Sequence, residues 1–202
     1  VTNVAETLGE VAAWQAEWKW DGMRAQIVRR GSDATLWSRG EELINDAFPE
    51  IIAAAAALPP GTVLDGELLA VRRGSVTEPA RLLGFSNLSR RSGRRRVPKK
   101  ILHDVPCVFV AYDILEHDGR DVRELPLVDR RRLLDSLVPR CFGEALTTPT
   151  LEPCCLFRSP IIQADSWDAL AARRSDSRGR GVEGLMLKRR SSTYGTGRTR
   201  GD

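Results

Sequence analysis

The chain has 202 residues, 42% hydrophobic and 29% charged, enough to bury the core of one large domain or two small ones. No apolar run approaches the roughly 18 residues that cross a bilayer; the longest, 51–58, is mostly alanine, and the N-terminus has no secretory pattern. Four cysteines without Cys-x-x-Cys spacing and two histidines argue against a zinc site and for reduced thiols, while the net charge of +4 is concentrated in 89–100 (SRRSGRRRVPKK), with seven cations and no acid.

Residues 1–13 give no readable pattern. Residues 14–21 alternate as a strand, with Trp14, Ala16, Trp18 and Trp20 on one face and Gln15, Glu17, Lys19 and Asp21 on the other. The tryptophans are expected to pack against a core, leaving Lys19 between two carboxylates. Such a lysine is either a surface ion pair or a partly desolvated nucleophile that attacks phosphorus or carbonyl carbon. Gly22 allows a sharp turn, and Arg24 supplies a cation suited to phosphate or ribose oxygens. Residues 23–30 and 34–38 read as a hairpin around 31–33, ending in Ser38-Arg39-Gly40. A helix is expected over 46–58, capped by Asn45 or Asp46 and stopped by Pro59-Pro60-Gly61.

The next strand, 62–71, carries Asp65 and Glu67 on one face. Two neighbouring carboxylates need a cation, a metal or sugar hydroxyls to answer them, unless they lie at an exposed strand end. Residues 72–100 are poor in pattern, with Phe85, Leu88 and Arg91 at the start of a helix; the cations here suit a polyanion or a solvated loop. Residues 105–115 are strongly β-like, with Val108, Val110 and Tyr112 facing one way and Phe109, Ala111 and Asp113 the other. A turn at 117–120 precedes a helix over 129–137 that buries Leu133, Leu134 and Leu137. Then follow a strand at 156–162, a helix over 166–174 capped by Asp165, and a strand at 181–190. Alternation in that last strand separates Glu183 from Met186 and Lys188, so a shared site requires a bulge near Gly184. Residues 194–202 read as a flexible basic tail.

In this order the segments resemble the nucleotidyltransferase (adenylation) domain of ATP-dependent DNA ligases, in its bacterial form, over nearly the whole chain. The family's Lys-x-Asp-Gly-x-Arg motif is matched by Lys19, Asp21, Gly22 and Arg24, and its Ser-Arg-Gly motif by Ser38-Arg39-Gly40. Asp65-Gly66-Glu67, Tyr112-Asp113 and Glu183 to Lys188 match the other three. The resemblance implies an α+β fold of two antiparallel β-sheets with peripheral helices and a nucleotide groove between them, an ATP-grasp-like nucleotidyltransferase fold, as one adenylation domain over 1–202. It implies that Lys19 attacks the α-phosphorus of ATP, expels pyrophosphate and keeps AMP as a phosphoramidate for transfer to the 5′-phosphate of nicked duplex DNA.

The same resemblance assigns Glu17 and Trp18 to the adenine pocket, Tyr112 and Met186 to the two faces of the base, and Arg24 to ribose or phosphate. Glu67 would meet the ribose hydroxyls or a metal, Glu183 would hold Mg²⁺ through waters, and Lys188 would neutralise phosphate. Arg39 would take the 5′-phosphate of the nick and lie beside the nucleotide. Arg198, or else Arg200, would replace a family arginine that aligns to Thr199. Arg90, Arg91, Arg94, Arg95, Arg96, Lys99 and Lys100 would touch the duplex backbone without sequence preference. The family's next motif, Lys-x-Lys, and its oligonucleotide-binding (OB-fold) domain lie beyond the last residue. The expectation is therefore a catalytic piece of a longer, monomeric, cytoplasmic and nucleoid-associated enzyme, with weak or no self-adenylation alone. Two other readings compete: an RNA ligase or mRNA capping enzyme that shares Lys-x-Asp-Gly, and a non-catalytic basic module that holds DNA through 89–100.

Overall fold

The computed structural model describes residues 4–72, 81–94, 96–142 and 155–195. Helix α1 (Val4–Leu8) leads into β1 (Trp14–Trp20), β2 (Met23–Arg30) and β3 (Asp33–Ser38), and α2 (Pro49–Ala55) separates these from β4 (Thr62–Arg72). Next come β5 (Arg81–Leu83), α3 (Phe85–Leu88), α4 (Lys99–Asp104), β6 (Cys107–His117), β7 (Arg120–Asp121) and α5 (Leu127–Leu137). The chain ends with β8 (Leu156–Arg158), β9 (Ile161–Ile162), α6 (Trp167–Ser175), α7 (Ser177–Arg180) and β10 (Val182–Arg189).

Two sheets result. The larger runs β3-β2-β4-β6-β7, with β5 on β4 and β8 on β6; the smaller is β10-β1-β9. All pairings between these strands are antiparallel except β6 with β8. The near-continuous apolar sequences of β4 and β6 reflect burial on both faces. Leu64, Leu68, Phe109 and Ile114 join Phe48, Ile51 and Leu134 in the main core. Leu69, Val71, Val108 and Val110 turn the other way and meet Phe142 and Phe157, with Trp20 of β1 packed against them. The Trp20 ring meets Phe142 edge-on at 5.3 Å. That contact fastens the small sheet to the second face of the large one, and a groove opens between them.

Several boundaries differ from the sequence reading for local reasons. Helix α2 starts only at Pro49, whose fixed φ suits a first helical position. Asn45 does not cap it; its side chain instead accepts from Leu36 N–H at 2.8 Å and donates to Ala34 O, bracing β3. Ser166, rather than Asp165, caps α6, its Oγ accepting from Ala169 N–H at 3.1 Å. The strand expected over 156–162 breaks at Ser159-Pro160, so β8 joins the large sheet and β9 the small one. Helix α5 buries Leu127 and Leu134 together with Arg130 and Arg131, whereas Leu133 and Leu137 are only partly buried.

The faces of β1 also depart from expectation. Trp14, Trp18 and Trp20 are half-buried, while Gln15, Ala16 and Glu17 are the buried residues. Arginines cover two of the indoles: Arg189 lies 4.5 Å from the Trp14 ring and Arg180 5.1 Å from that of Trp18.

Candidate active site

Two irregular strand pairings place the central side chains. Along β1 and β10, Lys19 pairs with Gly184 and Trp20 with Val182, so Glu183 is the extra residue of a bulge. Gly184, with φ of 154°, accepts the distortion. Along β4 and β6, Asp65 pairs with Asp113 and Gly66 with Ala111, which leaves Tyr112 as the extra residue of a second bulge. Bulges re-aim side chains. Both of these residues line a groove of about 580 Å³ whose walls also carry Glu17, Lys19, Arg24, Arg39, Glu67, Met186 and Lys188.

Lys19 forms an ion pair with Glu183, both about half exposed. The carboxylates on its own strand are otherwise engaged. Asp21 accepts from Phe85 N–H at 3.5 Å, and Glu17 is 1% exposed, its Oε1 accepting from Gln15 at 2.8 Å and from Lys188 at 3.0 Å. Lysine and carboxylate are thus matched across strands, not between neighbours on one strand. Glu17 Oε2 is buried without a partner, an acceptor that nothing among the described residues satisfies. The Lys188 ammonium also lies 4.6 Å from the centre of the Tyr112 ring.

Asp65, fully buried, is the hub of the opposite wall. It accepts two bonds from Arg24, at 3.2 and 2.8 Å, one from Tyr112 at 3.4 Å and one from Tyr194 at 2.7 Å. These bonds hold the Arg24 guanidinium above its ordinary pKa. Burial, then the nearby Asp65 carboxylate, push the Tyr112 and Tyr194 phenols above theirs, so both remain donors. Glu67, opposite Arg24 in the β2/β4 register, is pushed up to about 8 by burial, then by Asp65, Glu183 and Asp21, against a lowering pull from Arg24.

That surplus of carboxylates is the setting a cation relieves. Among the described residues, no cluster of three or more His, Cys, Asp or Glu could hold a metal unaided. Two carboxylates such as Glu67 and Glu183 could hold only an ion that keeps waters and takes the rest of its oxygen shell from phosphate, as Mg²⁺ does.

Of the other expected site residues, Arg39 is exposed in the turn after β3, Met186 is 41% exposed and Trp18 lines the groove beneath Arg180. Arg90, Arg94, Arg96, Lys99 and Lys100 are exposed. Arg91 is not: it is 0% exposed, bonded to Ala47 O, Val105 O and the Glu50 carboxylate, and it stacks on Phe48 at 4.9 Å. A buried, fully engaged guanidinium has no reach to a duplex, so Arg91 leaves the DNA-binding set. Arg95, Arg198, Thr199 and Arg200 lie outside the described residues. Sequence reasoning missed Tyr194 and Arg130. The available signal was a lone aromatic in a polar tail and an arginine on the apolar side of a helix.

Two sheets enclosing a groove, with a lysine–glutamate pair in one wall and a carboxylate–arginine hub in the other, define a nucleotidyltransferase-type α+β domain. The family model described as ATP dependent DNA ligase domain matches residues 1–202, and the chain belongs to that family. A probable DNA ligase of Koribacter versatilis is 35% identical over 194 residues, covering 89% of this chain and 32% of its own length. The DNA ligase of Archaeoglobus fulgidus is 32% identical, covering 96% and 32%. The chain thus spans about a third of the length of these relatives. Among solved structures, mycobacterial DNA ligase D complexed with ATP and MES superposes with a TM-score of 0.63 at 27% identity, covering 93% of this chain and 52% of that one. The ATP-dependent DNA ligase of bacteriophage T7, complexed with ATP, shares the fold at 18% identity, with a TM-score of 0.60 over 93% of this chain and 60% of its own. No described helix is long and apolar enough to cross a membrane.

Proposed function

We propose that the chain is the adenylating domain of an ATP-dependent DNA ligase, with Lys19 as the nucleophile. The observation that carries this is the position of Lys19 in the groove wall, paired with the bulged Glu183 and facing the Arg24–Asp65–Glu67 side. Attack needs the amine lone pair, so Lys19 gives up a proton, and Glu183 is the carboxylate beside it that can accept one. The Lys19 nitrogen then bonds to the α-phosphorus of ATP, the α–β P–O bond breaks, and pyrophosphate leaves with the electron pair. In the next step an oxygen of the 5′-phosphate at a DNA nick displaces the lysine and takes the AMP.

The remaining wall residues bind and orient. Glu17, whose buried Oε2 lacks a donor among the described residues, and Trp18 serve the adenine end, with Tyr112 and Met186 on the faces of the base. Arg24 and Glu67 face the ribose and α-phosphate; Lys188 adds positive charge, and Arg39 receives the 5′-phosphate of the nick. Mg²⁺, held by Glu67 and Glu183, would supply neutralisation of the phosphate charge. The exposed cations at positions 90, 94, 96, 99 and 100 contact the duplex backbone, and Arg198, or else Arg200, contributes to the nucleotide. A following OB-fold domain, a monomeric state and a cytoplasmic, nucleoid-associated location complete the proposal. In a protein that carries this domain together with the Lys-x-Lys motif and the OB-fold domain, intact-mass spectrometry after incubation with ATP and magnesium chloride is expected to show one added AMP, absent in Lys19→Ala. An adduct that survives this substitution overturns the assignment.

A further inference from the structure

Residues 190–194, just beyond β10, are strapped down. Val128 N–H donates to Arg190 O at 3.0 Å, Leu127 N–H to Ser192 O at 2.8 Å, and Tyr194 N–H to Arg123 O at 2.8 Å. Arg130, 2% exposed, adds another hold. It is anchored on Asp113 by bonds of 2.8 and 3.0 Å, donates to Ser192 O at 3.1 Å, and lies 5.9 Å from the centre of the Tyr194 ring. The strap delivers the Tyr194 hydroxyl into the groove. There it donates to Asp65 Oδ2 at 2.7 Å and accepts from Arg24 at 2.7 Å.

This geometry controls Arg24. Its side chain is 44% exposed and would sample several orientations if unrestrained. Asp65 takes Nε and one terminal nitrogen, and Tyr194 shares that same terminal nitrogen. Among the described residues, the other terminal nitrogen makes no hydrogen bond and is left for a ligand in the groove. A guanidinium fixed at one edge and free at the other is the arrangement that grips a planar pair of oxygens.

We propose that Tyr194 is a positioning residue for the nucleotide: its hydroxyl, not its ring, sets Arg24 and thereby couples the segment after β10 to the ATP site. This rests on the adenylation reading above. The ring has a separate task, covering Arg130, and the two can be separated. Tyr194→Phe removes only the hydroxyl; Tyr194→Leu removes the ring as well.

The test is calorimetric titration of the chain with α,β-methylene-ATP and magnesium chloride, which measures binding without turnover. Tyr194→Phe is expected to weaken binding about tenfold, the scale of one charge-assisted hydrogen bond, with Tm within about 2 °C of the parent. Tyr194→Leu is expected to weaken binding to the same degree while also lowering Tm. In an Arg24→Ala background, Tyr194→Phe is expected to add less than about twofold, because the hydroxyl acts through that guanidinium. Binding by Tyr194→Phe within about twofold of the parent, or an equal loss in both backgrounds, overturns the inference and leaves the adenylation reading intact. Failure of the parent chain to bind the analogue overturns both.

Discussion

Glu17 and Lys188, 171 residues apart in the chain, hold each other across β1 and β10, Nζ to Oε1 at 3.0 Å, with Glu17 almost wholly buried. Removing the cation strands the anion. Lys188→Met leaves the Glu17 carboxylate with Gln15 as its only donor among the described residues and is expected to cost about 3 kcal/mol, the lower end of the range for breaking a buried pair. Adding Glu17→Gln is expected to restore part of that loss, since no charge then remains buried. Urea midpoints of the two variants check the prediction, and a single-variant loss under about 1 kcal/mol refutes it.

Two motif glycines, Gly22 between β1 and β2 and Gly66 within β4, are required by space. A Cβ on Gly66 would sit 2.5 Å from Phe109 Cε1 and 2.6 Å from Val110 O, and one on Gly22 would run into Leu68 O. Gly66→Ala and Gly22→Ala are therefore each expected to destabilise by more than about 2 kcal/mol. Gly179→Ala, in helix α7 with open space around it, is expected to be neutral or slightly stabilising. Thermal unfolding of the three variants gives the comparison.

Most of the strands were legible because local alternation carries them, and the short motifs were enough to bring Lys19 to the groove wall. The bulge at Glu183 was legible too, since alternation alone would have put Glu183 and Lys188 on opposite faces. The bulge at Tyr112 was not, because nothing in an unbroken β-like run marks an extra residue. The charge pairings were hidden for another reason. Arg91 sits in a basic run and reads as solvated, yet its carboxylate partner Glu50 is 41 residues away and the pair is sealed by Phe48 and Val105. Long-range pairing of this kind leaves no local pattern. Tyr194 escaped notice likewise: its meaning comes from Asp65, 129 residues earlier.

Glu67 makes stability depend on pH with a definite sign. Its folded value of about 8 lies above the ordinary 4.5, so between these the unfolded chain has released a proton that the folded one keeps. Stability is therefore flat below about pH 4.5, falls as pH rises towards about 8, and levels off above it. Glu67→Gln is expected to remove this component and to gain most relative to the parent at about pH 9. A divalent cation beside Glu67 favours the carboxylate, so magnesium affinity is expected to rise over the same window. Tm scans against pH, with and without magnesium chloride, measure both; a parallel pH profile for Glu67→Gln rules out Glu67 as the source.

Within the basic segment, Arg91 and its neighbours are predicted to separate cleanly. Arg91→Met breaks the bonds to Ala47 O, Val105 O and Glu50, and it is expected to cost about 3 kcal/mol or more while leaving the salt dependence of binding to nicked duplex unchanged. Arg94→Gln with Arg96→Gln does the reverse, because both side chains are exposed. Stability is expected to hold within about 0.5 kcal/mol, while the slope of log K against log salt is expected to shrink by about 0.9 for each phosphate that is no longer neutralised. An unchanged slope in that pair removes the segment from the DNA interface. A reduced slope in Arg91→Met, at a temperature where the variant is folded, contradicts its burial.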